Sequence, residues 1–482
     1  MMRRLCILLL MLLAAAGCTR HKTIHSENDL PGARIGILTS SAHRAALEAN
    51  FPGVTLRSFE DLPSMCLALR GRKIDALFCL GAGLDALLAG NPGFEELPVR
   101  TLRDSVAVAF PLSGGALRDS LNAFLALIRE DGRLAEMDEN WFGPEATRTF
   151  YHGHTRSGKP LRVGIEVGQS GLTVMEGGEE TGFEPELMRR FGDHLGRPVH
   201  FVEMTGPGMV PALLSGRVDA LIDCITPTPK REKSVIFSQP YYRDELHLVV
   251  LAAGPGKKRV HQPLWSSVRE NLFEDGHAIL ILKGLWYTLV IMLCSVLLGS
   301  LLGALLCWMK LYGPPGCKRL AHFYGEFIES IPIVVLLLFM FYVVFAATTV
   351  AAVIVAIITY SLHFAAGACE CFVNGLESVP HGQYEAGHAL GFTEWETFRY
   401  VALPQALRQI LLLFKGKCVA LIENTAIVGF IAIQDLTKVT DIIRTQTYNS
   451  LIPLLVVGLL YFLLAKLIGF GVDKLGEHLL KK

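Results

Sequence analysis

The chain has 482 residues, too many for one ordinary domain and enough for about three. Lys and Arg number 45 and Asp and Glu 45, so the formal charge is zero and no broad basic field points to nucleic acid. Hydrophobic residues make up 51% of the chain and mean hydropathy is +0.39. That excess sits in the first 17 residues and after about His277, which predicts an exported soluble part followed by a membrane part.

In chain order, "MMRRLCILLLMLLAAAGC" has an Arg pair, an apolar run from Leu5 to Leu13, small residues and then Cys18. The run is short for a bilayer and reads as a signal peptide over residues 1–18. Ala15-Ala16-Gly17-Cys18 resembles a bacterial lipobox, which implies cleavage before Cys18 and acylation of its thiol. An ordinary cleavable signal or an uncleaved anchor is the alternative. On each reading, residues from about 19 onward are exported. Cys66, Cys79 and Cys224 are widely spaced, and the chain has neither CxxC nor a Cys/His metal spacing. Buried thiols and no metal site are expected.

Arg34-Ile35-Gly36-Ile37-Leu38 reads as a short buried strand, followed by a serine-rich turn and a helix. "LPSMCLALRGRKIDALFCL" then reads as helix, tight turn at Gly71, and strand. The grammar returns at Arg162-Val163-Gly164-Ile165, "FEPELMRRFGDHLG" and "MVPALLSGRVDALID". Strands alternating with amphipathic helices predict α/β lobes with mainly parallel sheets, Gly supplying each helix-to-strand turn. The two stretches are not duplicates. Only the second continues as "TPTPKREKSVIFSQPYY", and only the first is followed by "LRDSLNAFLALIREDGRLAEMDENWFG". With those runs the region resembles the amino-acid type of periplasmic solute-binding protein, a two-lobed Venus flytrap. The resemblance implies a swapped order, with residues 33–142 as lobe two plus the terminal helix and 161–252 as lobe one. The segment 143–160 is then a linker joining what are normally the two ends. A remnant of a tandem pair would give the same arrangement.

The resemblance also places cleft residues. Arg231 falls where the family grips a ligand α-carboxylate, a task suited to a planar, permanently charged guanidinium. Thr226 matches a hydroxyl contact. Asp223 falls where a small residue or Ser is usual, and a buried carboxylate there calls for a cationic partner, either Arg231 or an amine on the ligand. Ser40, Ser41 and His43 occupy a turn before a helix, either as an anion site on backbone N–H groups or as a plain N-cap. Three positions depart from the family: Leu80 replaces its ammonium-binding Asp, Gln169 replaces its aromatic lid, and Leu172 follows where Phe is common.

After an amphipathic segment at 264–278, expected on the outer membrane surface, apolar runs at about 280–308, 331–346, 348–372, 409–433 and 451–470 predict five spans. Lys415, Lys417 and Glu423 interrupt the fourth, which predicts a face turned to the bundle interior or a pathway. Exported lobes put the first span's start outside. Lys310, Lys318 and Arg319, the loop 373–408, and Lys474, Lys481 and Lys482 then fall inside, as the positive-inside bias expects.

That inner loop contains "EAGHALGFTEWETFRYVALP". It resembles the coupling loop of ABC importer permeases, with Glu385, Ala386, Gly387, Gly391, Val401, Leu403 and Pro404 on the family's offsets. Gly387 stands for an Ala and Val401 for an Ile. The resemblance implies two short helices hinged at Gly391 that seat in an ATPase subunit, with Glu385 and Arg399 offering polar contacts. "LKGLWYTLVIMLCSVLLGSLLG" and "ENTAIVGFIAIQDLTKVT" extend it to the polar amino acid uptake permeases, over a transmembrane domain at 279–475 with its coupling loop at 377–404. "IESIP" (328–332) and Glu423, where Lys is common, depart from that family. Glu423 and Asn424 are candidates for the translocation path.

The expected architecture is therefore multidomain: an α/β two-lobed Venus flytrap, then an all-α bundle of about five spans, of the type I ABC importer permease kind. The resemblance implies a multi-pass protein of the bacterial inner membrane, binding domain outside, that takes up an amino acid or related small polar solute. The same resemblance implies a transport protein rather than an enzyme. "GPGKKR" (254–259) does not fit the GxxxxGK[ST] spacing, so this chain is expected to bind no cofactor, with ATP and Mg on partner ATPase subunits. The other expected partners are a second permease, as homodimer or sister subunit, and membrane lipid. A ligand-gated channel of the glutamate-receptor kind would insert its pore between the lobes and has no use for the coupling loop. A transmembrane sensor would need an effector domain where about a dozen residues follow Phe470.

Overall fold

The computed structural model describes residues 22–480 apart from 40, 100–101, 144–145, 155–156, 168–171, 177–178, 205, 253–263, 274–275, 347, 349, 432 and 449. The signal segment with Cys18, and Ser40 and Gln169, lie outside the described residues.

The α/β region runs β1 (Arg34–Leu38), α1 (Arg44–Asn50), β2 (Thr55–Phe59), α2 (Leu62–Arg70), β3 (Ala76–Leu80), α3 (Leu84–Gly90), β4 (Phe94–Leu97), β5 (Arg103–Val106), β6 (Ala109–Pro111), α4 (Gly115–Glu130) and α5 (Arg133–Phe142). It continues with β7 (Leu161–Ile165), β8 (Val174–Glu176), β9 (Glu179–Thr181), α6 (Phe183–Leu195), β10 (Val199–Glu203), α7 (Gly206–Leu214), β11 (Ala220–Leu221), β12 (Val235–Phe237) and β13 (Tyr242–Leu251). Two sheets result. One has the order β2-β1-β3-β13-β4, with β5 also on β13; the other has β10-β7-β11-β6-β12.

The lobes do not divide where the sequence divides. β6 comes from the first half yet lies antiparallel between β11 and β12, and β13 comes from the second half yet lies antiparallel to β3 and β4. The chain therefore crosses twice, at 106–109 and 237–242, and the crossings run side by side. Tyr241 N donates to Val106 O at 3.0 Å and Ser238 N to Val108 O at 2.9 Å. Helices α4 and α5 also belong to the 161–237 side, with Leu121, Phe124 and Trp141 packed in one core with Val163, Phe183 and Phe191. The boundary expected at 142 is thus corrected: 109–142 is a part of lobe one, and 242–251 of lobe two. The linker is laid against that lobe, Phe150 stacking on Trp141 and the Tyr151 hydroxyl donating to Asp193 at 2.6 Å.

The twin Asp-Ala-Leu strings have one structural job. Asp75 accepts from Arg34 N and pairs with its guanidinium at 2.8 Å; Asp219 accepts from Arg162 N and pairs likewise at 2.7 Å. Each ties the start of a central strand to the turn that feeds its neighbour. The left-handed residue of that turn is Gly216 (φ 72°) in one copy, but in the other it is Arg72 (φ 56°), which aligns with it, and not Gly71 (φ −79°). The expected glycine turn therefore holds in only one lobe.

The helical part runs α8 (Leu264–Phe273), α9 (His277–Tyr312), α10 (Pro315–Ser330), α11 (Ile333–Phe339), α12 (Ala352–Glu377), α13 (His381–Ala389), α14 (Glu394–Thr397), α15 (Leu403–Asn424), α16 (Leu436–Thr447) and α17 (Leu451–Leu480). α9, α12 and α17 are long and apolar enough to cross a membrane, and the count reaches five if two bent pairs are each one span. One pair bends by 100° between Ser330 and Ile333, at Pro332; the other bends by 55° ahead of α16. α9 and α12 pack closely because Gly299 and Gly303, four apart, present bare backbone. A Cβ at Gly303 would lie 2.8 Å from that of Ala368. α8 packs on the head of the bundle, where buried Asn271 accepts from the Thr447 hydroxyl at 2.8 Å.

Candidate functional site

A cleft of about 740 Å³ opens between the lobes. Its lobe-one wall begins where β7 and β11 end, the position at which parallel strands present loops to ligands. Just past β11 the backbone turns through Cys224, whose φ of 46° is uncommon for a side-chain-bearing residue. Glu184, wholly buried on α6, holds the turn by accepting from Cys224 N at 2.7 Å, from the Thr173 hydroxyl at 2.8 Å and from the Tyr241 hydroxyl. The turn points Asp223 into the cleft. The following loop is capped by Thr228, whose hydroxyl accepts from Arg231 N at 3.3 Å, and the Arg231 guanidinium donates to Thr226 O at 2.8 Å.

Arg231, Thr226, Asp223, Ser41 and His43 all line this one cleft. Ser41 is not the N-cap of α1; that position is His43, whose N donates to the Ser41 hydroxyl at 3.3 Å. Leu80 lines the lobe-two wall with Ile37, Leu38 and Phe78, so that wall is apolar where the family has a carboxylate. Leu172 is buried in the lobe-one core instead.

Burial, reinforced by Glu166 and Glu184, holds the Asp223 carboxyl well above the usual range, against the opposing pull of Lys438 and Arg231. Glu166 lines the cleft and was not singled out from the sequence; its place one residue after β7 was the available signal.

Lys438 comes from the helical part. α16 touches both lobes. Toward lobe one, the buried Lys438 ammonium lies 3.7 Å from Glu203, Gln434 donates to Glu203 at 2.5 Å, and Val439, Ile442 and Ile443 pack on Val167 and Met175. Toward lobe two, Arg444 donates to the Ser64 hydroxyl at 3.1 Å and lies 3.5 Å from Asp61, while Tyr448 enters the lobe core beside Leu69 and Val249. Lobe one has a second foothold. The Arg217 guanidinium lies 3.4 Å from the centroid of the Phe341 ring and donates to the carbonyls of Phe341 and Val350 at 3.4 Å.

α12 starts beside that foothold and has 26 residues, so its far end lies about 39 Å away. There the hairpin begins. α13 ends at Ala389, Gly391 turns the chain with φ 85°, and Thr393 caps α14 in a reciprocal box with Glu396. Gly387 is buried against Thr397, whose Cγ2 would lie 2.5 Å from a Cβ there. Ala386, Glu385, Arg399 and Pro404 are exposed and Leu403 is half-buried. Leu390, Trp395 and Tyr400 stand out from the hairpin at 76%, 65% and 62% exposure, an exposed apolar knob on a polar loop.

Within the bundle, Lys415 pairs with Asp473 at 2.6 Å, and Lys417 lies 3.4 Å from Glu329 and 3.7 Å from Glu370. Each of those two cations bridges α15 to a neighbouring helix. Glu423 is exposed on α15, and the carbonyl of half-buried Asn424 accepts from the Tyr360 hydroxyl at 2.8 Å.

Residues 295–481 match the family of binding-protein-dependent transport system inner membrane components. An L-cystine transport system permease protein, TcyL of Bacillus subtilis, is 30% identical over 188 residues, 37% of this chain and 79% of its own length. The chain belongs to this family. An arginine transport system permease protein of the same organism, ArtQ, is 29% identical over 203 residues, 42% of this chain and 92% of its own length. A protein of Rickettsia bellii named for glutamine transport, GlnP, is 28% identical over 194 residues, 40% of this chain and 89% of its own length. The hairpin, Glu423 and α16 all lie inside the matched permease region, and the α/β lobes precede it. As a permease of this family the chain is a multi-pass inner-membrane transport protein.

Proposed function

We propose that the chain is the permease subunit of an ABC importer that carries its own extracytoplasmic solute-binding domain. It takes up an amino acid or a related small polar solute, and ATP with Mg is hydrolysed by a separate subunit. Ligand closes the lobes, α16 and the Arg217 foothold pass that closure to the bundle, and the hairpin 381–402 meets the ATPase with Trp395, Tyr400 and Leu390. Arg231 grips the solute carboxylate. Glu423 faces a path completed by a second permease, either a copy of this chain or a sister. The lobes lie outside, and Lys310, Lys318, Arg319 and the hairpin lie inside. The observation that supports this most is α16, which joins both walls of the cleft to the bundle that bears the hairpin. The test is uptake by the reconstituted complex. A chain with residues 385–404 scrambled loses ATP-driven uptake and keeps the thermal stabilisation that solute gives the full-length protein. Uptake that survives the scramble refutes the proposal.

A further inference from the structure

The reading of the cleft as a solute site leaves the solute's charge open, and the lobe-one wall bears on it. The Asp223 Oδ1 is buried, lines the cleft and has no hydrogen-bond partner. Glu166 lines the same wall, Glu184 lies beneath, and Glu203 sits at the permease contact. Arg231 and Lys438 are the cations that pull on Asp223, yet neither hydrogen-bonds its Oδ1, which is left for a donor in the cleft. Lys230 lines the cleft but is exposed to water. We infer that the solute is a cationic amino acid, its carboxylate on Arg231 and its positive side chain drawn to Asp223 and Glu166. This rests on the importer reading above.

The alternatives fit less well. A zwitterion brings one ammonium to a wall with two cleft-facing carboxylates. An anionic amino acid would bring a second negative charge against Asp223 and Glu166, and like charges juxtaposed in a desolvated cleft repel. The facing wall suits the rest of a long cationic side chain, because Ile37, Leu38, Phe78 and Leu80 offer an apolar surface to its aliphatic stem. A separate observation points the same way. Glu423 stands exposed on α15, in a stretch that otherwise reads as a span, and a carboxylate lining a pathway favours cations. The raised Asp223 carboxyl agrees, because a cation beside it would offset the burial and the neighbouring acids that hold it up.

The test is calorimetry and thermal shift on the full-length protein in nanodiscs with L-lysine, L-arginine, L-glutamine and L-glutamate as probes. L-lysine or L-arginine binds about tenfold tighter than L-glutamine, and L-glutamate binds weakest. Asp223→Asn lowers affinity for the cationic probe by about 30-fold or more, as truncating one partner of a desolvated charge pair does, and lowers affinity for L-glutamine far less. If Asp223→Asn fails to fold, Glu166→Gln carries the same comparison. L-glutamine or L-glutamate binding as tightly as L-arginine overturns the cationic assignment and leaves the importer reading standing. No binding of any of the four overturns both.

Discussion

Asp223 sets a pH dependence whose sign can be worked out. Its folded carboxyl is raised above the unfolded value, so its contribution to stability is fully present below the unfolded pKa of about 3.9 and is lost as pH rises through the folded value. Asp223→Asn removes that burden. The empty variant should melt about 2–4 °C above the wild type at pH 8, the shift that ~1 kcal/mol makes in a domain this size, with the gap closing near pH 4. A gap that does not change with pH would count against a raised carboxyl. Arg72 and Gly216 give a cleaner conformational comparison, since both hold the left-handed slot of the same turn. No heavy atom lies within 4 Å of a Cβ built on Gly216, so Gly216→Ala should cost about 1 kcal/mol from backbone preference alone. Arg72→Gly should recover a similar amount, read from denaturant midpoints. Such substitutions were out of reach of the sequence, because "RGRKID" and "SGRVD" each contain a glycine and only the coordinates show which residue has the positive φ.

At the scale of elements, α16 and the hairpin carry the account. In sequence α16 falls between the apolar runs at 409–433 and 451–470, and nothing nearby marks Lys438 or Arg444. Arg444 also pairs locally with Asp441 at 2.7 Å, but the lobe partners Glu203, Asp61 and Ser64 lie more than 200 positions away, so no local pattern could reveal a helix clasped by both lobes. Arg444→Ala should leave solute affinity within about threefold and lower solute-stimulated ATP hydrolysis by about tenfold, because it cuts the lobe-two contact without touching the cleft. Equal stimulation in variant and wild type would remove α16 from the transmission. The hairpin is the opposite case. Its offsets are legible because they fall within twenty neighbouring positions, and α13, the turn at Gly391 and α14 fall in that order. Even there the reason for Gly387 was hidden: it is the close approach of buried Thr397. Gly387→Ala should therefore destabilise the hairpin by about 1–3 kcal/mol despite alanine's better helix propensity. Adding Thr397→Ala should restore ATPase binding, measured by pull-down.

At the scale of the whole molecule, the order of parts was legible and the interleaving was not. The hydropathy step near His277 separates lobes from bundle, and the apolar runs mark the long helices, because both signals extend over tens of residues. β6 is three residues long and β13 follows its own half without a break, so which sheet each joins depends on tertiary pairing alone. The resulting double crossing beside the cleft is a two-strand hinge between lobes that are each held to one permease by α16. On the proposed function, a solute-binding domain so attached has no need to arrive by diffusion. The direct measurement is ATP-driven solute uptake by proteoliposomes that hold this chain and its ATPase partner, with no other binding protein present. Uptake that saturates with solute and does not rise when a soluble binding protein is supplied is the predicted result. Uptake that stays at background until one is supplied would contradict the account.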